Sequence, residues 1–404
     1  MKEAGLISPA YYRPKGIPVG LPVCAGPQKE RFQLVGLNKG LGSTGWLWRV
    51  LATLVVAWGA ARACVALGTP IPWMMGPLVV TSVAGLCGLP VASANALRNS
   101  GQWVIGTALG LYFTPAVGQL IGGLAGYIAL GVVWACGAGW LFGRFLDRTP
   151  VAVLAELPLQ AREATAFFSG AIGGASEMTL IAERHGARTD LVASAHSLRV
   201  LMVTLTLPFA MQAWGVHGID GATHWAREVQ PTGLAMLFAA TALGVWVMHR
   251  LGRANPWLVG SLLVTMGLTL ANLQLTVLPG WLTNAAQLVI GVSLGVRFSP
   301  AFLRTAPRWL GAVALGTVVL MLTCAAFGVA LAWAAGLHPA TLVLGTSPGG
   351  IAEMAITAKV LQLGVPVVTA FQVCRLVAVL VLAEPLFRWV LARARRERPS
   401  PNAT

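Results

Sequence analysis

The chain has 404 residues, of which 56% are hydrophobic and only 10% charged, and its formal net charge is +15. Soluble domains average about 25% charged residues, so this composition excludes a soluble globular protein and predicts a chain that lies in a lipid bilayer. The positive charge does not indicate a nucleic-acid partner, because no helix-turn-helix, zinc-finger or basic-zipper pattern accompanies it. The Lys and Arg residues cluster in both tails and in short loops, which marks cytoplasmic ends and contact with anionic lipid.

The cysteines and histidines predict neither a metal site nor a cofactor. The six cysteines and six histidines are scattered, with no C-x-x-C pair and no H-E-x-x-H pattern. Cysteines inside apolar spans behave as small hydrophobic residues. We therefore expect no metal, no cofactor and no enzymatic activity.

Residues 1–44 form a basic, proline-rich N-terminal tail. A secretory signal needs an apolar run of about 7–15 residues, which this segment lacks. We interpret the segment as a disordered tail, and a wrongly chosen start codon is the alternative interpretation.

From residue 46 onward the chain is a series of apolar segments, several of them longer than the roughly 20 residues needed to cross a bilayer. We predict spans at about 46–67, 71–89, 100–114, 116–143, 164–184 and 190–214, and then at 232–249, 256–273, 283–298, 308–335, 340–360 and 365–391. The polar segment 216–231 joins the two series, and residues 393–404 form a basic C-terminal tail. The predicted fold class is all-α, a polytopic transmembrane helical bundle with broken or re-entrant helices and with both tails in the cytoplasm.

The two series of spans repeat one sequence unit. Gly173-Gly174-x-x-Glu177-Met178 returns as Gly349-Gly350-x-x-Glu353-Met354, and the segment from Gln102 to Pro115 returns from Gln287 to Pro300. We therefore predict a first membrane repeat over 45–215 and a second over 232–392, with a short insertion in the first near 145–162. Six crossings in each repeat would make the repeats parallel in the membrane, whereas five would make them inverted. The inverted arrangement is favoured, because it places more of the loop arginines on the cytoplasmic side. Repeated membrane units are typical of transporters, whose site lies where the repeats meet.

The paired glycines predict interrupted helices. Each glycine costs about 1 kcal/mol relative to alanine, and Pro348 removes a backbone donor just before the second pair. In lipid, such a break is tolerated only where the backbone faces protein or a water-filled cavity. Glu177 and Glu353 then lie in the first turn of a resumed helix, where free amide groups favour an anion, including a bound substrate. The alternative is close helix packing through the four small residues Gly173, Gly174, Gly349 and Gly350.

An arginine follows each glutamate at the same distance, Arg199 after Glu177 and Arg375 after Glu353. In an antiparallel helical hairpin, each arginine and its glutamate then lie at the same depth, close to the middle of the membrane. Lone charges there cost several kcal/mol, so we expect each pair to face the interior and to meet. Either the pair is a structural ion pair, or the arginine binds an anionic substrate while the glutamate exchanges a proton or cation with it.

Gln102 and Gln287 open the other repeated segment. The glycines that follow, Gly106-x-x-x-Gly110 and Gly291-x-x-x-Gly295, favour close helix packing, and the two amides are candidates to line a cavity. The repeats also differ at positions where an asymmetric solute would be distinguished. Tyr112 corresponds to Arg297, His196 to Gln372, and Pro208 to Glu384.

With its two doubled motifs, the glycine segment ending at Pro115 and Pro300 and the GG-x-x-E-M segment, the chain resembles the AbrB family of bacterial membrane proteins. The resemblance covers about residues 46–392, in both repeats. The proline before the paired glycines is present at Pro348 but is Ile172 in the first repeat. The family label implies a regulator of gene expression, and some members carry the label ammonia monooxygenase. A monooxygenase would need copper or iron ligands, which the dispersed histidines do not supply.

We therefore expect a multi-pass protein of the bacterial inner (plasma) membrane that moves a small, anionic solute or ion. The alternative is a membrane-embedded regulator of gene expression that acts through a partner, as the family label implies. An intramembrane enzyme is a third hypothesis, which a bound metal would favour. The sequence is also compatible with a homo-oligomer.

Overall fold

The computed structural model describes residues 43–215, 229–252, 255–300, 302 and 306–396. Nearly all of the predicted N-terminal tail, most of the joining segment and the end of the C-terminal tail lie outside these residues. Within them every regular element is a helix. In chain order the helices are α1 (Ser43–Ala66), α2 (Pro72–Leu86), α3 (Asn95–Gly110), α4 (Pro115–Gly123), α5 (Ala125–Arg148), α6 (Ala152–Ala155), α7 (Leu159–Gly170), α8 (Ala175–Arg184), α9 (Thr189–Ala213), α10 (Pro231–Arg250), α11 (Pro256–Leu270), α12 (Gly280–Gly295), α13 (Pro307–Ala335), α14 (Pro339–Thr346), α15 (Ile351–Val360) and α16 (Val365–Arg396).

Six of these helices, α1, α5, α9, α10, α13 and α16, are long and apolar enough to cross a membrane. Helices α3 and α4 make a seventh candidate if they are counted as one span that is bent by 88°. The bend lies before Pro115, where a proline disfavours helical geometry in the preceding residue, and Thr114 is extended. Large apolar side chains such as Val55, Leu322 and Val381 are exposed on the long helices, as a lipid environment requires. The chain is a multi-pass helical membrane protein, as predicted.

The predicted span 116–143 is divided in two. Helix α4 ends at Gly123, and α5 begins at Ala125 after Leu124. The paired glycines Gly122 and Gly123 explain the division, because each lowers helix stability relative to alanine. The predicted insertion near 145–162 contains the short helix α6 and the start of α7.

The repeated glycine segments pack each half of the chain against the other. Helix α3 contacts α11, and α12 contacts α2. A Cβ atom added to Gly110 would lie 2.5 Å from Cβ of Thr265 on α11, and one added to Gly291 would lie 2.6 Å from the carbonyl oxygen of Met74 on α2. Only glycine leaves room for these backbones to approach so closely. The predicted packing role of these glycines is confirmed.

Candidate functional site

Both predicted spans that contain the paired glycines are interrupted in the structure. Helix α7 ends at Gly170 and α8 begins at Ala175, while α14 ends at Thr346 and α15 begins at Ile351. The backbone between them is extended, with ψ 136° at Gly174 and ψ 157° at Gly350. The predicted interruption is confirmed in both halves, including the first, where Ile172 replaces the proline.

Each glutamate folds back over the glycine that precedes its helix. A Cβ atom added to Gly174 would lie 2.9 Å from Cδ of Glu177, and one added to Gly350 would lie 2.9 Å from Cδ of Glu353. Both glutamates occupy the third helical position, from which a carboxylate can reach back over the free amide groups of the first turn. The place predicted for a substrate anion is therefore occupied by the chain's own carboxylate.

The other glycine of each pair contacts the methionine that ends the motif. A Cβ atom added to Gly173 would lie 3.1 Å from Sδ of Met178, and one added to Gly349 would lie 3.0 Å from Sδ of Met354. Both methionines are fully buried. Close packing and helix interruption, which the sequence left as alternatives, therefore occur together in this motif.

Arg375 binds the carbonyl end of the interrupted helix. Its guanidinium donates to the carbonyl oxygens of Ser347 and Gly349, the latter at 2.7 Å, and to Oε1 of Gln372 at 2.6 Å. Only 6% of the residue is exposed. The partial negative charge at a helix C-terminus makes these carbonyl groups good partners for a cation.

Arg199 does the same in the first half. It donates to the carbonyl oxygens of Ser169 at 3.2 Å and Ala171 at 2.9 Å, and to Nδ1 of His196 at 2.6 Å. Because a guanidinium only donates, Nδ1 of His196 must accept, and Nε2 carries the hydrogen that it donates to the carbonyl oxygen of Phe168 at 2.9 Å. His196 is therefore neutral and fully hydrogen-bonded.

The predicted Glu–Arg pairs are wrong as contacts. Among the described residues no ion pair joins Glu177 to Arg199 or Glu353 to Arg375. Equal distance from the hairpin turn predicts equal depth, but it does not predict which way a side chain points around its helix axis. The arginines on α9 and α16 point at the ends of α7 and α14, and the charges of Arg199 and Arg375 interact with each other.

The exchange of His196 for Gln372 between the halves yields a prediction. Gln372 accepts from Arg375 and donates to the carbonyl oxygen of Leu344, as His196 does toward Arg199 and Phe168. We expect His196→Gln to leave the melting temperature of the purified protein nearly unchanged. His196→Leu, the control, should cost about 1–3 kcal/mol, because it leaves a buried carbonyl without its donor. Equal losses for both variants would contradict the equivalence.

Arg297 lies within electrostatic range of both helix interruptions. Its charge interacts with the carboxylates of Glu353 and Glu177 and with the guanidinium of Arg98. The side chain is half-buried at the end of α12. It lines a partly open cavity of about 230 Å³, whose other lining residues are Asp190, Leu191, Ser194, Ser299, Phe302, Ala306, Trp309 and Leu310. From the sequence, Arg297 was noted only as a difference between the repeats. A single charged residue inside an otherwise uncharged repeated motif is the sequence feature that could have identified it as a candidate site residue.

The predicted glutamine candidates lie on α3 and α12, the helices of the other repeated motif. Gln287 is buried on α12 and Gln102 is half-buried on α3. Neither takes part in the hydrogen bonds that the described residues form at the ends of α7 and α14. A cavity-lining role for the two amides stays a prediction.

Comparison with known proteins places the chain in a family. Residues 39–391 match the family described as "Transition state regulatory protein AbrB". The chain is 26% identical over 352 residues to a Bacillus subtilis (strain 168) protein named "Uncharacterized protein YhjN", covering 80% of this chain and 88% of the relative. It is 24% identical over 332 residues to an Escherichia coli (strain K12) protein named "Putative regulator AbrB", covering 80% of this chain and 91% of the relative. This chain, with its interrupted helices and doubled GG-x-x-E-M motif, belongs to the AbrB family.

Proposed function

We propose that the chain is a secondary transporter of a small anionic solute in the bacterial inner membrane, and that it is not an enzyme. The observation that carries the proposal is the position of Arg297. Its charge acts on the glutamates of both interrupted helices, and its side chain lines a partly open cavity. A solute that enters the cavity thus meets one residue that is coupled to both halves of the chain.

The interrupted helices support this proposal because their ends are held from both sides. An arginine binds the carbonyl end of each break, and a glutamate covers the amide end of the helix that follows. In membrane proteins, a helix is interrupted at membrane depth only where the free backbone groups are buried in protein or line a water-filled cavity. A solute carboxylate would compete with the chain's own carboxylates for the planar donor fork of Arg297.

The test is flux of organic anions into proteoliposomes that contain the purified protein. We expect saturable uptake by the wild-type protein and at least tenfold less uptake by Arg297→Tyr, which introduces the residue of the first repeat. Arg388→Ala is the matched control, because Arg388 is exposed and binds only Glu384 among the described residues. Equal uptake by Arg297→Tyr and the control would refute the role of Arg297.

The regulator hypothesis is the alternative, and the name of the E. coli relative favours it. A sensor would bind its solute without moving it across the membrane. Binding by the purified protein together with no saturable flux of any anion would therefore favour the regulator and contradict the transporter.

A further inference from the structure

We infer that the cavity at Arg297 opens to the cytoplasm, and that α7–α8 and α14–α15 are re-entrant hairpins that enter the membrane from opposite faces. The inference goes beyond the proposed function, because it concerns orientation and holds for a transporter and for a regulator alike. Three observations carry it: the contacts that fold each interrupted span back on itself, the antiparallel packing of α5 against α13, and the positions of the arginines.

Helix α8 returns along α7 instead of continuing across the membrane. If the span continued, the ten residues of α8 would place its end about 15 Å beyond the break. The backbone amide of Arg188, just after α8, instead donates to Oγ1 of Thr165 on α7 at 2.9 Å. The ring of His185, at the end of α8, stacks on Phe168 of α7 with centroids 5.7 Å apart. The start of α7 and the end of α8 therefore lie on the same side of the break.

Helix α15 returns along α14 in the same way. A Cβ atom added to Gly364, after α15, would lie 3.2 Å from Cγ2 of Thr341, near the start of α14. The tips of both hairpins reach the middle of the membrane. Arg199 and Arg375, which bind carbonyl groups at the tips, each lie ten residues after the first residue of their helix. That distance is about 15 Å along the helix, half of a hydrocarbon core of about 30 Å.

Helices α5 and α13 pack antiparallel. Oη of Tyr127, near the start of α5, donates to the carbonyl oxygen of Ala334, near the end of α13, at 2.8 Å. Further along both helices, the rings of Trp134 and Phe327 stack with centroids 4.4 Å apart. The end of α5 and the end of α13 therefore lie at opposite faces of the membrane.

Each hairpin begins at the face where the preceding long helix ends. Arg162, near the start of α7, forms an ion pair of 2.8 Å with Asp147, near the end of α5. Helix α14 begins at Pro339, directly after the short turn that follows α13. Hairpin α7–α8 thus enters from one face, named here the Arg188 face, and α14–α15 enters from the other, the Gly364 face. The two repeats are inverted, the arrangement that the sequence favours.

The cavity lies at the Arg188 face. The indole nitrogen of Trp309, near the start of α13, donates to the carbonyl oxygen of Leu191, near the start of α9, at 3.2 Å. Both residues line the cavity, and both helices start at the Arg188 face. Asp190, also on the cavity wall, has 47% of its side chain exposed. The cavity therefore opens at this face.

The Arg188 face carries nearly all of the positive charge on these helices. Helix α16 ends there, because Nε2 of His185 lies 3.6 Å from Oε1 of Glu384, and its ring contacts that of Phe387 with centroids 5.0 Å apart. The arginines at this face include Arg144, Arg148, Arg162, Arg184, Arg188, Arg308, Arg388 and Arg393. Among the described residues of α5 to α9 and α13 to α16, Lys359 is the one Lys or Arg at the Gly364 face.

This asymmetry assigns the two faces. Lys and Arg near the ends of membrane spans are retained on the cytoplasmic side. The Arg188 face is therefore the cytoplasmic one, and a solute in the cytoplasm reaches Arg297 in this conformation. In a transporter this is the inward-open state, and in a regulator the ligand is a cytoplasmic solute.

The test is the accessibility of single cysteines in a chain whose six native cysteines are replaced by serine. Exposed positions at the hairpin ends are Glu156 and Glu183 for α7–α8, and His338 and Val360 for α14–α15. A membrane-impermeant maleimide is applied to spheroplasts and to inside-out vesicles. We expect Glu156→Cys and Glu183→Cys to be labelled in the vesicles only, and His338→Cys and Val360→Cys in the spheroplasts only.

Two controls accompany the labelling. The cysteine-free chain gives the background, and a membrane-permeant maleimide should label every variant in both preparations, which shows that each thiol is reactive. Ala155 and Arg184, which are also exposed, replace Glu156 and Glu183 if either variant is not recovered in the membrane.

A further cysteine tests the cavity itself. Ser194→Cys places a thiol on the wall that Arg297 also lines, and two methanethiosulfonate reagents of opposite charge are applied to inside-out vesicles. An arginine in a cleft raises the local concentration of anions, so we expect the anionic reagent to be favoured. Adding Arg297→Tyr should lower the ratio of the anionic to the cationic rate at least about threefold, whereas Arg388→Ala, the exposed control, should leave the ratio unchanged.

Labelling of Glu156→Cys and Glu183→Cys from opposite sides would show that α7–α8 crosses the membrane, and would overturn the hairpin. Labelling of all four positions from one side would overturn the inversion, and labelling of the α7–α8 pair in spheroplasts only would overturn the cytoplasmic opening. An unchanged ratio in Arg297→Tyr would remove Arg297 from the cavity. The expected labelling together with no flux of any anion would refute the transporter and leave the orientation standing.

Discussion

We expect Arg375→Leu to lower the free energy of unfolding by about 3 kcal/mol or more. Leucine leaves the carbonyl group of Gly349 and the side-chain oxygen of Gln372 without a donor, each in a buried position where an unmet hydrogen bond costs about 1–3 kcal/mol. The carbonyl group of Ser347 keeps only the bond from Nε2 of Gln372 at 3.2 Å. Unfolding of the purified protein in mixed micelles by a denaturing detergent measures the difference.

Glu353→Gln is the informative comparison. The amide keeps the shape of the carboxylate, and Glu353 forms no ion pair with Arg375 among the described residues. We therefore expect it to cost less than about 1 kcal/mol, the size of a typical hydrogen-bond difference. An equal loss of unfolding free energy for Glu353→Gln and Arg375→Leu would instead support the Glu353–Arg375 ion pair that the sequence predicts.

Gly350→Ala should lower the free energy of unfolding by about 1–3 kcal/mol, the usual effect of overpacking a dense interior. The added Cβ would lie 2.9 Å from Cδ of Glu353 and would push the carboxylate off the start of α15. Gly349→Ala should cost less, because its new neighbour is the flexible side chain of Met354. The same unfolding measurement compares the two variants.

A double variant identifies the cause. The backbone of Gly350, at φ −81° and ψ 157°, is open to any residue, so the space taken by the glutamate is the constraint. In Gly350→Ala/Glu353→Ala the collision is gone, and we expect a favourable coupling of at least about 1 kcal/mol between the two changes. If the losses of the two variants are strictly additive, the backbone conformation, and not the glutamate side chain, is the reason that position 350 requires glycine.

Much of the fold could be predicted from composition and from glycine and proline positions. Hydropathy alone located the long helices. The spacing of each Glu–Arg pair predicts hairpin turns near Arg188 and Gly364, and the turns lie about two residues earlier, at Gly186 with φ 71° and at Gln362 with φ 53°. The paired glycines predicted both helix interruptions because the cost of glycine in a helix is local. The division at Leu124 was missed, although Gly122 and Gly123 obey the same rule, because the surrounding run is uniformly apolar.

The site was predicted less well, because side-chain direction depends on tertiary packing. The spacing of Glu353 and Arg375 determines their separation along the chain, but not the neighbour that each side chain faces. Arg375 lies against α14, whose carbonyl groups became available only because the helix ends there. Arg297 was noticed as a break in symmetry, but the sequence does not show that its charge reaches glutamates from both halves.

The exchange of partners between halves has a consequence for biosynthesis. Helices α2 and α3 leave the ribosome well before α11 and α12, against which their glycine-lined faces pack. Until then the nascent first half holds those faces open in the bilayer, and it cannot reach its final packing alone. We therefore expect insertion of the second half to complete the packing of the first, and a chain that ends near residue 215 to be less stable than the full chain.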